Sequence, residues 1–157
     1  MNSNIFLREA NVNDLEDVFL LSSHPSTRLY SISKTITYDE HVKWFNELIS
    51  KSRSRLYIIT NKEGDFIGQI RYDLNENNNA VVSISISERY RGKGIATFAL
   101  KLSHKRIKED IEIKNVIAYI DKNNLSSIKL FENVGYKYME SSKNILKYIY
   151  PLAKNGE

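Results

Sequence analysis

A chain of 157 residues with 41% hydrophobic and 11% aromatic side chains can bury one real core, and a single domain spanning 1–157 is expected. A formal charge of +4, without any run of five or more like charges, suits an anionic ligand and gives no reason to expect a nucleic-acid partner. The absence of cysteine excludes a disulfide framework, a thiolate zinc site and a cysteine nucleophile, and no metal centre is expected.

Asn4 to Glu9 reads as a first strand with Ile5 and Leu7 on one face, and Asn13-Asp14-Leu15-Glu16 as a capping box opening a helix that runs to about Ser22. His24-Pro25 ends that helix, and a polar loop from Ser26 to Ile36 follows. Thr37-Tyr38-Asp39-Glu40 forms a second capping box, after which His41, Trp44, Phe45 and Leu48 repeat at helical spacing. His41 lies on the apolar stripe of this helix, so it reads either as a hydrogen-bonded core histidine or as a substrate-facing base.

Arg55 to Thr60 and Asp65 to Leu74, joined by a turn at 61–64, predict an antiparallel hairpin, which Asn79 to Ser87 extends across the Asn-rich turn 75–79. A helix from Gly94 to about Asp110, a buried strand at Val116 to Ile120, a helix from Asn123 to Asn133 ended by Gly135, and strands at 136–141 and 144–150 complete the order, with Pro151 as a stop. The strand ending at Ser87, the following helix and the strand at Val116 make a right-handed crossover unit with a parallel pair, and ligands favour the mouth of such a unit.

At that mouth stands Glu88-Arg89-Tyr90-Arg91-Gly92-Lys93-Gly94-Ile95-Ala96-Thr97, at the junction of a strand period and a helical one. Gly92 and Gly94 permit backbone angles closed to other residues and a close approach to the main chain, so successive N–H groups can converge on an anion at the helix N-terminus. Arg89, Arg91 and Lys93 add positive charge. The alternative reading is an ordinary surface turn joining strand to helix.

The order β-α-α-β-β-β-(RGKG)-α-β-α-β-β resembles the GCN5-related N-acetyltransferase (GNAT) fold over nearly the whole chain. Arg89 to Gly94 resembles that family's acyl-CoA pyrophosphate loop. Asn124-Leu125-Ser126-Ser127-Ile128-Lys129-Leu130-Phe131-Glu132-Asn133-Val134-Gly135-Tyr136 resembles its second signature, and the two are separated by the expected helix and strand. The resemblance implies an α+β fold: a mostly antiparallel twisted sheet of about seven strands, a splayed parallel pair, and about four flanking helices. It implies acetyl-CoA as the cofactor, held by Arg89, Arg91, Gly92, Lys93, Gly94, Ile95, Ala96 and Thr97 at the phosphates. The pantetheine arm would run along the strand of Ile84 and Ile86, with Asn124, Ser127 and Phe131 beside it. Asn124 equally reads as a helix N-cap, and the two roles are compatible.

Direct acyl transfer needs a neutral amine, a polarised carbonyl and a proton for the departing sulfur. Relatives in this family often use a tyrosine for the last role at the position matched by Phe131. Phe131 has no proton to give, which leaves Ser127, Tyr119, Tyr138 or solvent. Asp73 and His41 are the candidate bases, each with a structural reading as turn acceptor or core residue. The expected activity is acetyl transfer to a small primary amine such as an amino sugar, free or nucleotide-linked, because His41-x-x-Trp44-Phe45, Gln69 to Asp73 and Ser83 to Ile86 are similar to acetyltransferases of nucleotide-amino-sugar pathways. A protein N-terminal acetyltransferase and a non-catalytic acyl-CoA-binding module are the alternatives. No charged leader precedes an apolar run and no stretch of about 18 apolar residues is present, so a cytoplasmic protein with no membrane partner is expected. A monomer or homodimer is expected.

Overall fold

Seven strands pair into one sheet, in the order β1-β2-β3-β4-β5-β7-β6, in a computed structural model that describes residues 4–32, 35–50, 53–75 and 77–152. Along the chain these are β1 (Phe6–Glu9), α1 (Leu15–Ser23), α2 (Pro25–Arg28), α3 (Tyr38–Ile49), β2 (Ser54–Thr60), β3 (Phe66–Leu74), β4 (Asn79–Ile86), α4 (Ile95–Asp110), β5 (Asn115–Asp121), α5 (Leu125–Val134), β6 (Lys137–Ser142) and β7 (Ile145–Pro151). All neighbouring pairs are antiparallel except β4 and β5. The mixed sheet, its parallel pair and its flanking helices are those expected of a GNAT fold.

Period-two alternation sends alternate residues to opposite faces, and each face acquires its own helices. On one side Tyr57, Ile59, Ile70, Tyr72, Ala80, Val82, Val116 and Ala118 pack with Ala99, Leu100 and Ile107 of α4 and Phe131 and Val134 of α5. On the other, Leu56 and Ile58 of β2 pack with Val18 of α1 and Phe45 and Leu48 of α3. A fully buried aliphatic side chain contributes about 1.5–3 kcal/mol, so the larger cluster dominates stability.

The second capping box forms as expected: Glu40 N–H donates to Thr37 Oγ1 (3.2 Å) and Thr37 N–H to Glu40 Oε1 (2.8 Å). The first is displaced. Asn11 and Asp14 make the reciprocal cap, on a short 3-10 turn at Val12–Asp14, and α1 then starts at Leu15 without a side-chain cap. Asp14 serves this turn because Arg8 on β1 grips both its carboxylate oxygens, at 2.8 and 2.7 Å. A fifth helix also appears inside the expected polar loop: His24 Nδ1 caps Ser26 N–H at 3.1 Å and Pro25 occupies the first turn of α2, a position where its missing N–H costs nothing. Residues 33, 34 and 76, parts of the expected loops 26–36 and 75–79, lie outside the described residues, as do 153–157. Pro151 ends β7 as its last paired residue, opposite Asn115.

Candidate active site

The parallel pairing of β4 with β5 is brief. It covers Asn79–Asn115, Ala80–Val116 and Val81–Ile117, after which the strands part company. β4 continues to Ile86 while paired only with β3, and β5 continues to Asp121 while paired only with β7. From Val82 onward one edge of β4 therefore offers unpaired backbone groups to an extended ligand, the geometry of strand addition. Ile84 is half-buried and Ile86 is 8% exposed, both against the main core, so this strand is fixed before any ligand arrives.

The chain leaves β4 through a 3-10 turn at Glu88–Tyr90 and enters α4 through two left-handed glycines, Gly92 at φ 75° and Gly94 at φ 77°. Non-glycine residues pay roughly 1–2 kcal/mol there, which explains the residue choice. Gly94 is the N-cap of α4 and has no side chain to cap with. The first N–H groups of α4, from Ile95, Ala96 and Thr97, thus stand at the positive end of a 16-residue helix with no side-chain acceptor among the described residues. A Cβ placed on Gly92 would meet no protein atom within 4 Å, so the space above the loop is open. Ile95 is buried as the anchor of this turn, and Ala96 and Thr97 are half-buried. Such an arrangement of N–H groups and open space can take an anion.

The three cations of the loop divide in role. Arg91 Nε donates to the Ile86 carbonyl at 2.8 Å, and its Nη2 lies 3.4 Å from Thr27 Oγ1 on α2, so Arg91 ties the end of β4 to the loop. Arg89 is exposed, its guanidinium 5.1 Å from the Tyr90 ring centroid, and Lys93 is exposed. These last two leave positive charge exposed at the loop, where an anion could meet it.

Across the gap, α5 begins at Asn124, whose Oδ1 accepts from Ser127 N–H and Ser126 Oγ, both at 3.2 Å. Its amide nitrogen makes no hydrogen bond among the described residues, so the cap leaves a donor for a ligand. Ser127 is half-buried, and its hydroxyl likewise has no hydrogen-bond partner among the described residues. Four residues on, and so on the same side of α5, Phe131 is 4% exposed, with its ring 4.8 Å from that of Tyr136 and nearly perpendicular to it. Its carbonyl accepts from Gly135 N–H and Tyr136 N–H, closing the helix where Gly135 takes φ 118°.

The other candidates are distributed unevenly. His41 is 1% exposed, bonds the Leu15 carbonyl through Nε2 at 3.2 Å, and is packed by Phe19, Trp44 and Phe45. Burial pushes its pKa below the usual histidine value. The geometry gives it the core role and brings no solvent to the ring. Asp73 sits opposite Val81, the last residue of β4 that reaches β5. Its oxygens are both engaged, Oδ2 by Arg71 Nε at 2.8 Å and Oδ1 by Ser54 Oγ at 2.7 Å. Tyr119 on β5 is 46% exposed, whereas Tyr138 lies on the edge strand β6, with β7 and β5 between it and β4.

The stretches Gln69 to Asp73 and Ser83 to Ile86, singled out in the sequence for a similarity, come together as one polar row. Gln69, Arg71 and Asp73 alternate on one face of β3, opposite Ser85, Ser83 and Val81 of β4, with Trp44 of α3 beneath the Arg71 guanidinium at 5.4 Å. The signal was present as polar residues at every second position of two adjacent strands.

The match to known proteins agrees with this geometry. Residues 4–137 match the model of an acetyltransferase (GNAT) domain, and the chain belongs to that family. It is 30% identical over 138 residues to YwnH of Bacillus subtilis (strain 168), provisionally named a phosphinothricin acetyltransferase, covering 83% of this chain and 82% of that one. Its fold is similar to that of spermidine N-acetyltransferase from Vibrio cholerae in complex with CoA and spermine (TM-score 0.86, 16% identity, 96% and 97% covered). A domain from Methanocaldococcus jannaschii is 27% identical with TM-score 0.81, covering 94% of this chain and 97% of that one. The protein is therefore an acetyl-CoA-dependent N-acetyltransferase of the GNAT type. Among the described residues no helix is long and apolar enough to cross a membrane.

Proposed function

We propose that this enzyme acetylates a small primary amine, an amino sugar or nucleotide-linked amino sugar being the acceptor its site suits best, within one domain spanning 1–157 that works in the cytoplasm as a monomer or homodimer. The observation that supports the acceptor class is the polar row on β3 and β4 beside the point where β4 leaves β5, since serine hydroxyls, an amide and a guanidinium match a hydroxylated ring better than an apolar chain. Acetyl-CoA, when bound, supplies an activated acetyl carbonyl: its C–S bond breaks as the C–N bond forms, the amine loses a proton and the sulfur gains one. Gly92, Gly94 and the first N–H groups of α4, with Arg89 and Lys93, hold the phosphates. The open edge of β4 at Ile84 and Ile86 and the amide of Asn124 orient the arm.

Ser127 Oγ holds a proton on the side of α5 shared with Phe131 and is the proton donor in this reading. Asp73, whose two oxygens are occupied, fixes the Arg71 fork, and proton loss from the amine falls to solvent. The test is amine-dependent release of free thiol from acetyl-CoA across amino sugars, nucleotide-linked amino sugars, polyamines and short peptides. Amino sugars should release thiol fastest and Ser127→Ala should slow release by about 10²-fold or more, the lower end of general-acid contributions. Fastest release with peptides would replace this reading by a protein N-terminal acetyltransferase. Binding without release by any amine would leave an acyl-CoA-binding module.

A further inference from the structure

The arginine in the polar row is built for more than holding Asp73. Arg71 carries five N–H donors in a planar fork. Only Nε makes a close bond, to Asp73 at 2.8 Å; Nη2 lies 3.4 Å from Ser83 Oγ, and Nη1 has no partner among the described residues. The side chain is 27% exposed and rests over the Trp44 ring at 5.4 Å. Asp73 is locked from behind by Ser54, so the fork is held in one orientation at its Nε edge while its Nη edge faces the hydroxyl side of β4. A guanidinium stacked and braced in this way takes a carboxylate or phosphate by two parallel hydrogen bonds at little entropic cost.

Its position matters as much as its donors. Arg71 is in register with Ser83, two residues beyond the last pairing of β4 with β5, and so lies one strand from the open gap. One step along the same face, Gln69 faces Ser85 and is 7% exposed. Its Nε2 reaches Ser22 Oγ only at 3.4 Å, and its Oε1 has no hydrogen-bond partner among the described residues. A buried acceptor left unpaired is rare in native proteins. From Gln69 to Asp73 the row runs about 13 Å at the usual strand rise.

Resting on the acceptor reading above, we propose that Arg71 is a specificity-determining residue that binds an anionic group, carboxylate or phosphate, carried by the amine acceptor. A polycationic amine meets the wrong charge here, because the carboxylate of the row is already paired with Arg71.

The test compares acceptors that differ in one group: glucosamine against glucosamine 6-phosphate, serine against serinamide, and spermidine as the polycation. For wild type the expected kcat/KM is at least tenfold higher for the phosphate or carboxylate member of a pair, and spermidine is poorest. Arg71→Met should bring the anionic-to-neutral ratio to about one, chiefly through KM, Arg71→Lys should restore part of it, and Lys101→Ala, exposed on α4, should keep it. Binding of the same pairs to the CoA-loaded protein, by calorimetry, reads Arg71 even if none of these amines is acetylated, which separates this claim from the acceptor reading. Thermal melting of each variant excludes a folding defect. The proposal is overturned if spermidine is preferred, if anionic and neutral members bind alike, or if folded Arg71→Met keeps the wild-type ratio.

Discussion

Gly68 offers a way to disturb the mouth of the site from the strand behind it. It is paired with Ile86, the last residue of β4, and a Cβ added there would press into the Ser85 carbonyl oxygen and stand 3.1 Å from Ile86 Cα and 3.2 Å from Ile86 Cδ1. Two of these three atoms are backbone, so relief requires β3 and β4 to move apart rather than a rotamer to change. Overpacking of this kind costs about 1–3 kcal/mol. For a chain of this size that lowers Tm by about 2–12 °C. The same displacement moves the Ile86 carbonyl that anchors Arg91, and with it the turn into Gly92. Acetyl-CoA affinity should then fall about tenfold, or 1.4 kcal/mol. Gly64→Ala is the control: at φ 88° it is strained, but its Cβ would meet nothing within 4 Å, so it should lose about 1–2 kcal/mol of stability and no affinity. Calorimetric titration with acetyl-CoA and thermal melts of both variants decide the matter. Wild-type melting and affinity in Gly68→Ala, or an equal affinity loss in Gly64→Ala, would refute the argument.

Gly92→Val or Gly94→Val should weaken acetyl-CoA binding more than Lys93→Ala, since each forces a β-branched residue into φ near 75° while Lys93 shares its task with Arg89; equal losses in folded proteins would mean simple charge attraction. Phe131→Ala should cost about 3–5 kcal/mol in denaturant unfolding, because the ring is 4% exposed, while Phe131→Tyr should still bind acetyl-CoA. His104, buried beside Tyr136 with its Nε2 2.7 Å from the phenolic oxygen, has its pKa pushed down by burial to about 4. The unfolded state then binds the extra proton first, so the stability from this group is complete above pH 6.5 and is lost as pH falls toward 4, about 3 kcal/mol in all. Urea unfolding at several pH values should show that slope in wild type and a shallower one in His104→Gln.

Strands and long helices were legible because alternation and helical spacing are local properties, and Thr37 with Glu40 announced a cap that forms as written. The glycine loop was legible because Gly92 and Gly94 stand where a strand period becomes a helical one. The first cap was misplaced by two residues for a tertiary reason: Arg8 on β1 holds Asp14, and that contact cannot be seen in the Asn-Asp-Leu-Glu string. α2 was missed because four residues carry no periodicity, although Pro25 after a capping His24 was a usable signal. His41 and Asp73 looked alike as candidate bases in the sequence. Only packing separates a ring closed in by three aromatics from a carboxylate braced by Arg71 and Ser54. The Gln69–Arg71 row needed the β3–β4 register, which sets these residues across from Ser85 and Ser83.

The account stands most directly on where acetyl-CoA binds, and backbone amide shifts during titration of the labelled protein report it residue by residue. The amides of Gly92, Gly94, Ile95, Ala96 and Thr97, and those of Val82 to Ile86 along the open edge of β4, should move together and saturate at one affinity. Shifts confined instead to the shallow basin at the far end of α4, around Lys108, Ile111 and Ile113, with the glycine loop and β4 unmoved, would contradict it.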